Sequence, residues 1–283
     1  MEHIHLRKAS RAATIAAAGV GAAVGAIALL FRAEGHQAQA LVGHRLGDNG
    51  PDADAVYNPE WGNPVHLVMA GDSVAASLGA STPENTLGAI LATFLSRQTH
   101  RAVELHTIAV VGARTSGVAA QLDVLEQLGF APDITVLIVG GNDLTGHVSL
   151  SESVSGLRRI IGRLCALGSE VVVGTCPDFD TLPSLPKPLR EFGGQMSRRL
   201  ASAQFKIAVA AGAHPVLIGK AVRQLFLTNP SYMFAIDGYH PSSLGYQSAS
   251  LALLPALQEA FNAAHLPNRC PTSSVPPLRA GTD

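Results

Sequence analysis

From Pro64 onward the chain alternates short apolar runs with longer runs of helical spacing, and few folds accept that alternation. Strands separated by helices pair in parallel, and a parallel sheet needs helices over both of its faces. The expected class is therefore α/β with a central parallel sheet of about five strands. The first run begins at Val65, after Gly62-Asn63-Pro64, and breaks off at Gly71-Asp72-Ser73. It reads as a buried strand that delivers one serine to its carboxyl end, the edge where ligands bind in open α/β sheets. Further strands are expected at 103–111, 134–139, 171–175 and 215–218. Helices are expected from Thr82, with Thr82 as N-cap, Pro83 in the first turn and Leu87, Ile90, Leu91, Phe94 and Leu95 along one face. Others are expected at 116–128, from Ser151 or Ser153 to Leu167, at 190–211 and at 244–264. The stretch 177–188 holds four prolines and reads as an apolar loop carrying Leu182 and Leu185, with a second loop at 227–243.

The chain ahead of this region differs in kind. Arg7, Lys8 and Arg11 precede a run without charge from 12 to 31, after which Arg32, Glu34 and His36 restore polarity. Residues 1–40 read as an export signal or an N-terminal membrane anchor. About twenty residues suffice to span roughly 30 Å of hydrocarbon, which favours an anchor at 12–31. Ala38-Gln39-Ala40 offers a small-residue cleavage site, which favours removal. Either way the positive cluster stays on the cytoplasmic side and the remainder is exported, to the cell envelope or beyond. Residues 41–63 read as a linker, 64–264 as one folded domain, and 265–283 as a Pro-rich disordered tail.

Several function classes are excluded on composition. A net charge of −1 over 283 residues gives no basic field for nucleic acid. Cys165, Cys176 and Cys270 form no CxxC and no Cys/His pattern suited to zinc, so no structural metal is expected, and no cofactor is called for. Three thiols, or one disulfide and one thiol, remain open.

Four loops at one sheet edge each present a chemical part: Ser73, Gly112, Asn142, and Asp237 with His240. Ser73 suits a nucleophile, which at neutral pH needs a base. His240 can take and return a proton, and Asp237, three residues earlier, can hold its tautomer. Acyl transfer also builds charge on a carbonyl oxygen, which the backbone N–H groups of Ser73 and Gly112 and the Asn142 amide could receive. Asp72 is assigned to tying down the serine loop. Arg114 and His147 are candidate substrate contacts, His106 a structural residue of its strand, and Leu182 and Leu185 candidate walls of an acyl pocket.

Gly71-Asp72-Ser73, Gly112, Gly140-x-Asn142-Asp143 and Asp237-x-x-His240 resemble, in order and rough spacing, the four blocks of the SGNH (GDSL-like) hydrolase family, over about 64–261. The style of sequence is most similar to the exported actinobacterial esterases. The resemblance implies a flavodoxin-like three-layer α/β/α sandwich, no metal, and ester hydrolysis through an acyl-serine by Ser73, Asp237 and His240, with Ser73, Gly112 and Asn142 as oxyanion hole. The first block lacks the leucine of the literal GDSL form. Ala75, two after Ser73, rules out the G-x-S-x-G elbow. The expected activity is an extracytoplasmic esterase or lipase on short- or medium-chain acyl esters, the substrate being a small molecule or a lipid. Transfer of the acyl group to a sugar or glycolipid hydroxyl is the alternative within the same chemistry. A scaffold that no longer turns over is the alternative outside it.

Overall fold

The computed structural model describes residues 46–265, so residues 1–40, read above as an export signal or anchor, and the tail with Cys270 lie outside the described residues. Six strands form one sheet: β1 (Ala55–Tyr57), β2 (Val65–Gly71), β3 (Val103–Thr107), β4 (Ile134–Ile138), β5 (Glu170–Gly174) and β6 (His214–Val216). Their order is β1-β3-β2-β4-β5-β6. The five strands from β2 onward are parallel, and counted among themselves they run 2-1-3-4-5, the flavodoxin-like winding. Past β3 the ladder continues, with Ile108 and Val110 donating to the carbonyls of Met69 and Gly71.

The sixth strand corrects the reading of 41–63 as a bare linker. Residues 55–57 pair antiparallel with β3, Ala55 opposite Leu105, and the Asp54 carboxylate receives the Thr107 N–H at 2.9 and 3.0 Å. The folded body thus begins ahead of Pro64.

Helices cover both faces: α1 (Leu87–Thr99), α2 (Val118–Gln127), α3 (Gly141–Thr145), α4 (Leu150–Ala166), α5 (Leu189–Ala210), α6 (Ile218–Thr228), α7 (Pro230–Met233) and α8 (Ser243–Ala264). Because successive strand residues face opposite ways, Leu67 and Met69 pack with Leu87, Leu91 and Leu95 of α1 and Tyr246, Leu253 and Leu257 of α8. Val68 and Ala70 pack on the other side with Leu122 of α2 and Leu157 and Ile161 of α4. Each such large side chain stabilises the fold by roughly 1.5–3 kcal/mol on full burial. No helix among the described residues is long and apolar enough to cross a membrane.

Two caps differ from expectation. Pro83–Asn85 forms a single 3-10 turn, and Thr86, not Thr82, caps α1 by accepting the Ala89 N–H at 3.1 Å. Ser149 caps α4 through the Glu152 N–H, which frees Ser153 for a buried role described below. Helix α6 adds to the expected elements: Ile218, Val222 and Phe226 repeat at helical spacing between the last strand and the loop at 227.

Candidate active site

The serine sits where β2 breaks. Gly71 has φ +128°, and a Cβ there would lie 1.9 Å from the Ile138 carbonyl oxygen, so only glycine lets β2 run this close to β4. Asp72 then accepts the Val74 N–H at 3.0 Å, and Leu78 N–H reaches back to the Ser73 carbonyl at 2.9 Å, which closes one tight turn around Ser73. Asp72 therefore ties down the loop.

At the other end of the site, Asp237 begins a turn closed by the Ala235 N–H to the His240 carbonyl at 2.8 Å. One carboxylate oxygen accepts the N–H groups of Tyr239 and His240 at 2.9 and 3.0 Å, while the other lies 2.6 Å from His240 Nδ1. Spacing of three residues is what lets one side chain satisfy both its own turn and the imidazole. His240 Nε2 lies 3.0 Å from Ser73 Oγ. Ser73, Asp237 and His240 are each 6% exposed, so the chain of bonds runs in a poorly solvated setting. Burial alone would raise the Asp237 pKa. The bonds from His240 and from the Tyr239 backbone outweigh it and hold the carboxyl below its ordinary value.

Asn142 joins the turn that carries Gly112. Gly112 has φ +80°, with open space where a Cβ would stand, and the Asn142 amide donates to the Ala113 carbonyl at 3.1 Å. Its second N–H stays available, since the amide has two donors. Asp143 fastens this arm from below: buried, it accepts the Thr115 N–H at 2.9 Å and the Thr115 and Ser153 hydroxyls at 2.5 Å each. The Asp72 carboxylate faces this arm, 4.0 Å from where a Cβ on Gly141 would stand, with the Gly140 N–H among the groups that favour its charged form. Burial pushes Asp72 up to about 7, against the two backbone bonds and the nearby His240.

Arg114 and His147 are exposed at the rim next to the Asn142 arm, Arg114 lying so close over Gly146 that a Cβ there would meet its guanidinium at 2.4 Å. His106 stays in β3, 3.2 Å from Glu104 and edge-on to Phe130. Leu182 and Leu185 do not present an open wall. They are 4% and 8% exposed and pack with Phe179, Leu200, Phe226 and Met233 beneath the Pro-rich loop. The cause is electrostatic: buried Asp178 pairs with Arg198 of α5 at 3.0 Å and with Arg223 of α6, and Asp180 pairs with Arg223, which pulls the loop down onto the helices. The loop then buttresses the histidine turn, through the Ser184 N–H to the Gly238 carbonyl at 3.2 Å and Phe179 set edge-on to Tyr239.

Two positioning residues escaped the sequence reading. Gln121 of α2 grips the Gly71 backbone from both sides, its oxygen 2.9 Å from the N–H and its amide nitrogen 2.8 Å from the carbonyl oxygen. Gln204 of α5 does the same across β4 and β5, donating to Val139 at 2.8 Å and accepting from Cys176 at 2.7 Å. Among the described residues no group of three His, Cys, Asp or Glu side chains could hold a metal ion.

Residues 69–248 match the model of the GDSL-like lipase/acylhydrolase family. The GDSL-like esterase Rv1075c of Mycobacterium tuberculosis is 37% identical over 225 residues, which cover 76% of this chain and 71% of that one. Among solved structures, TesA superposes with a TM-score of 0.57 at 18% identity, over 69% of this chain and 99% of its own. The psychrotrophic esterase EstA from Pseudoalteromonas sp. gives 0.54 at 16% identity, over 70% and 99%.

Proposed function

The chain belongs to the GDSL-like lipase/acylhydrolase family, and from that premise we propose an extracytoplasmic serine esterase that cleaves short- or medium-chain acyl esters through an acyl-serine. The observation that carries the mechanism is the unbroken chain from Asp237 through His240 to Ser73 Oγ. His240 Nε2 accepts the Oγ proton as Oγ bonds to the ester carbonyl carbon. The carbonyl oxygen takes up the negative charge and faces the Ser73 and Gly112 N–H groups and the Asn142 amide. One such donor is worth roughly 10²–10³ in rate. As the tetrahedral centre collapses, the alcohol leaves with the proton from His240. Water, deprotonated by the same nitrogen, then releases the acid and restores Ser73. Asp237 holds the Nδ1 proton throughout and offsets the imidazolium charge.

The location rests on the basic cluster followed by the uncharged run 12–31. Labelling of wild type and Ser73→Ala with a fluorophosphonate, together with hydrolysis of p-nitrophenyl acyl esters, tests the reading. Wild type should take the label and hydrolyse the ester while the variant does neither. A wild-type protein that does neither sinks the enzyme assignment, and an added alcohol that outcompetes water would reassign it as an acyltransferase.

A further inference from the structure

Two segments form the surface beside the histidine turn, 73–81 and 230–244. Across both, the only acidic, basic or imidazole side chains are Asp237 and His240, and these are buried. What the surface does expose is apolar: Ile236 is 75% exposed, Tyr232 68% and Leu244 44%. These positions belong to one face. Ser81 bonds through its N–H and hydroxyl to Ser243, next to Leu244, at 3.0 and 2.8 Å. The Ser242 hydroxyl donates to the Tyr232 carbonyl, and Gly79 packs on Ala235 and the His240 Cβ.

At the Ile236 end of this face lies a hollow of about 530 Å³, lined by Leu78, Ala80, Ser81 and Ile236 and by Leu46, Asn49 and Pro51 of the entry segment. Leu46 is the first described residue, so the upstream chain leaves from the wall of the hollow. The entry segment is pressed close there, since a Cβ on Gly50 would stand 1.9 Å from the Ala76 carbonyl oxygen. Asp48 is exposed in that segment but does not line the hollow. Fourteen residues separate the uncharged run 12–31 from Leu46, and they reach at most roughly 50 Å. A bilayer that holds the run is therefore never far from this face. The two segments expose no basic side chain for anionic headgroups to pair with, and their exposed Tyr, Ile and Leu fit the boundary between headgroup and acyl chain.

We propose that the face carrying Tyr232, Ile236 and Leu244 seats on a zwitterionic lipid surface, so that ester substrate passes from the bilayer directly to Ser73. The inference rests on the esterase reading for its substrate, but not for its first test. In the Trp61→Phe background the indole introduced by Tyr232→Trp reports depth. With full-length protein in phosphatidylcholine vesicles, its emission should shift to the blue and be quenched by brominated acyl chains, while Trp61 of the unaltered chain is not. An unquenched, unshifted indole overturns the proposal, as does a face occupied by a second copy, seen as a dimer that Leu244→Asp splits. The second test compares a soluble short-chain p-nitrophenyl ester with a long-chain ester dissolved in the vesicles. Tyr232→Asp and Leu244→Asp, with Leu244→Ser as a milder control, should lower the vesicle rate about tenfold and leave the soluble rate alone. Equal losses on both esters, or none, overturn the proposal. A wild type inert on the soluble ester overturns the esterase reading instead.

Discussion

Replacing Gln121 with methionine removes the grip on Gly71 while keeping length and flexibility at the site. The Gly71 N–H then loses its partner, and an orphaned buried donor costs roughly 1–3 kcal/mol. The Gly71 carbonyl keeps the Val110 N–H at 3.1 Å, so the loss there is that of an ordinary bond, about 0.5–1.5 kcal/mol. The sum is about 1.5–4.5 kcal/mol. For a folded body of this size that lowers Tm by roughly 5–15 °C. Urea unfolding and calorimetry at pH 7 measure the stability, and ester hydrolysis measures the site. Because Gly71 carries Asp72 and Ser73, kcat should fall with KM little changed. A stability loss under about 0.5 kcal/mol, with m unchanged, would refute the account of the grip.

His240→Ala should lose about a thousandfold or more in turnover, while His147→Ala, which removes a side chain from the rim, keeps most of it. Comparable losses would mean that the base is misassigned. Asp72 gives a pH signature: its folded pKa, about 7, lies above the ordinary carboxylate value, so its neutral form favours the fold. That contribution is complete below about pH 4 and is lost as pH rises towards 7 and beyond, by up to roughly 4 kcal/mol at 1.36 kcal/mol per pKa unit. Urea unfolding from pH 4 to 8 should show this fall in the wild type and a flatter profile in Asp72→Asn; identical slopes would remove Asp72 as its source.

The residues that the structure gathers into the candidate site were legible because their types are rare in one sequence order: a serine after a buried strand, a glycine and an asparagine after two others, and Asp-x-x-His in a loop. Convergence of the first three followed from the parallel sheet, which places strand-end loops at one edge, whereas the Asp-x-x-His turn follows α7 and reaches the serine by the packing of α6 and α7. The glutamines were not legible. In a helix a glutamine looks solvent-facing, and Gln121 meets Gly71 across 50 positions while Gln204 meets Val139 across 65. Leu182 and Leu185 were legible as apolar but not in direction, because their inward packing is set by Asp178 and Asp180 finding arginines on two later helices. Strand β1 hid in a stretch of Gly, Asp, Asn and Pro, where three residues give no period to read.

That short strand has a practical consequence. A protein trimmed to begin at Pro64, where the apolar alternation starts, would shed β1 and the Asp54 carboxylate together and leave β3 as a bare sheet margin. Such margins recruit strands from other molecules, so the trimmed chain should self-associate through its sheet. The same cut would delete Leu46 and Pro51 and open the hollow beside the serine loop to water on one side.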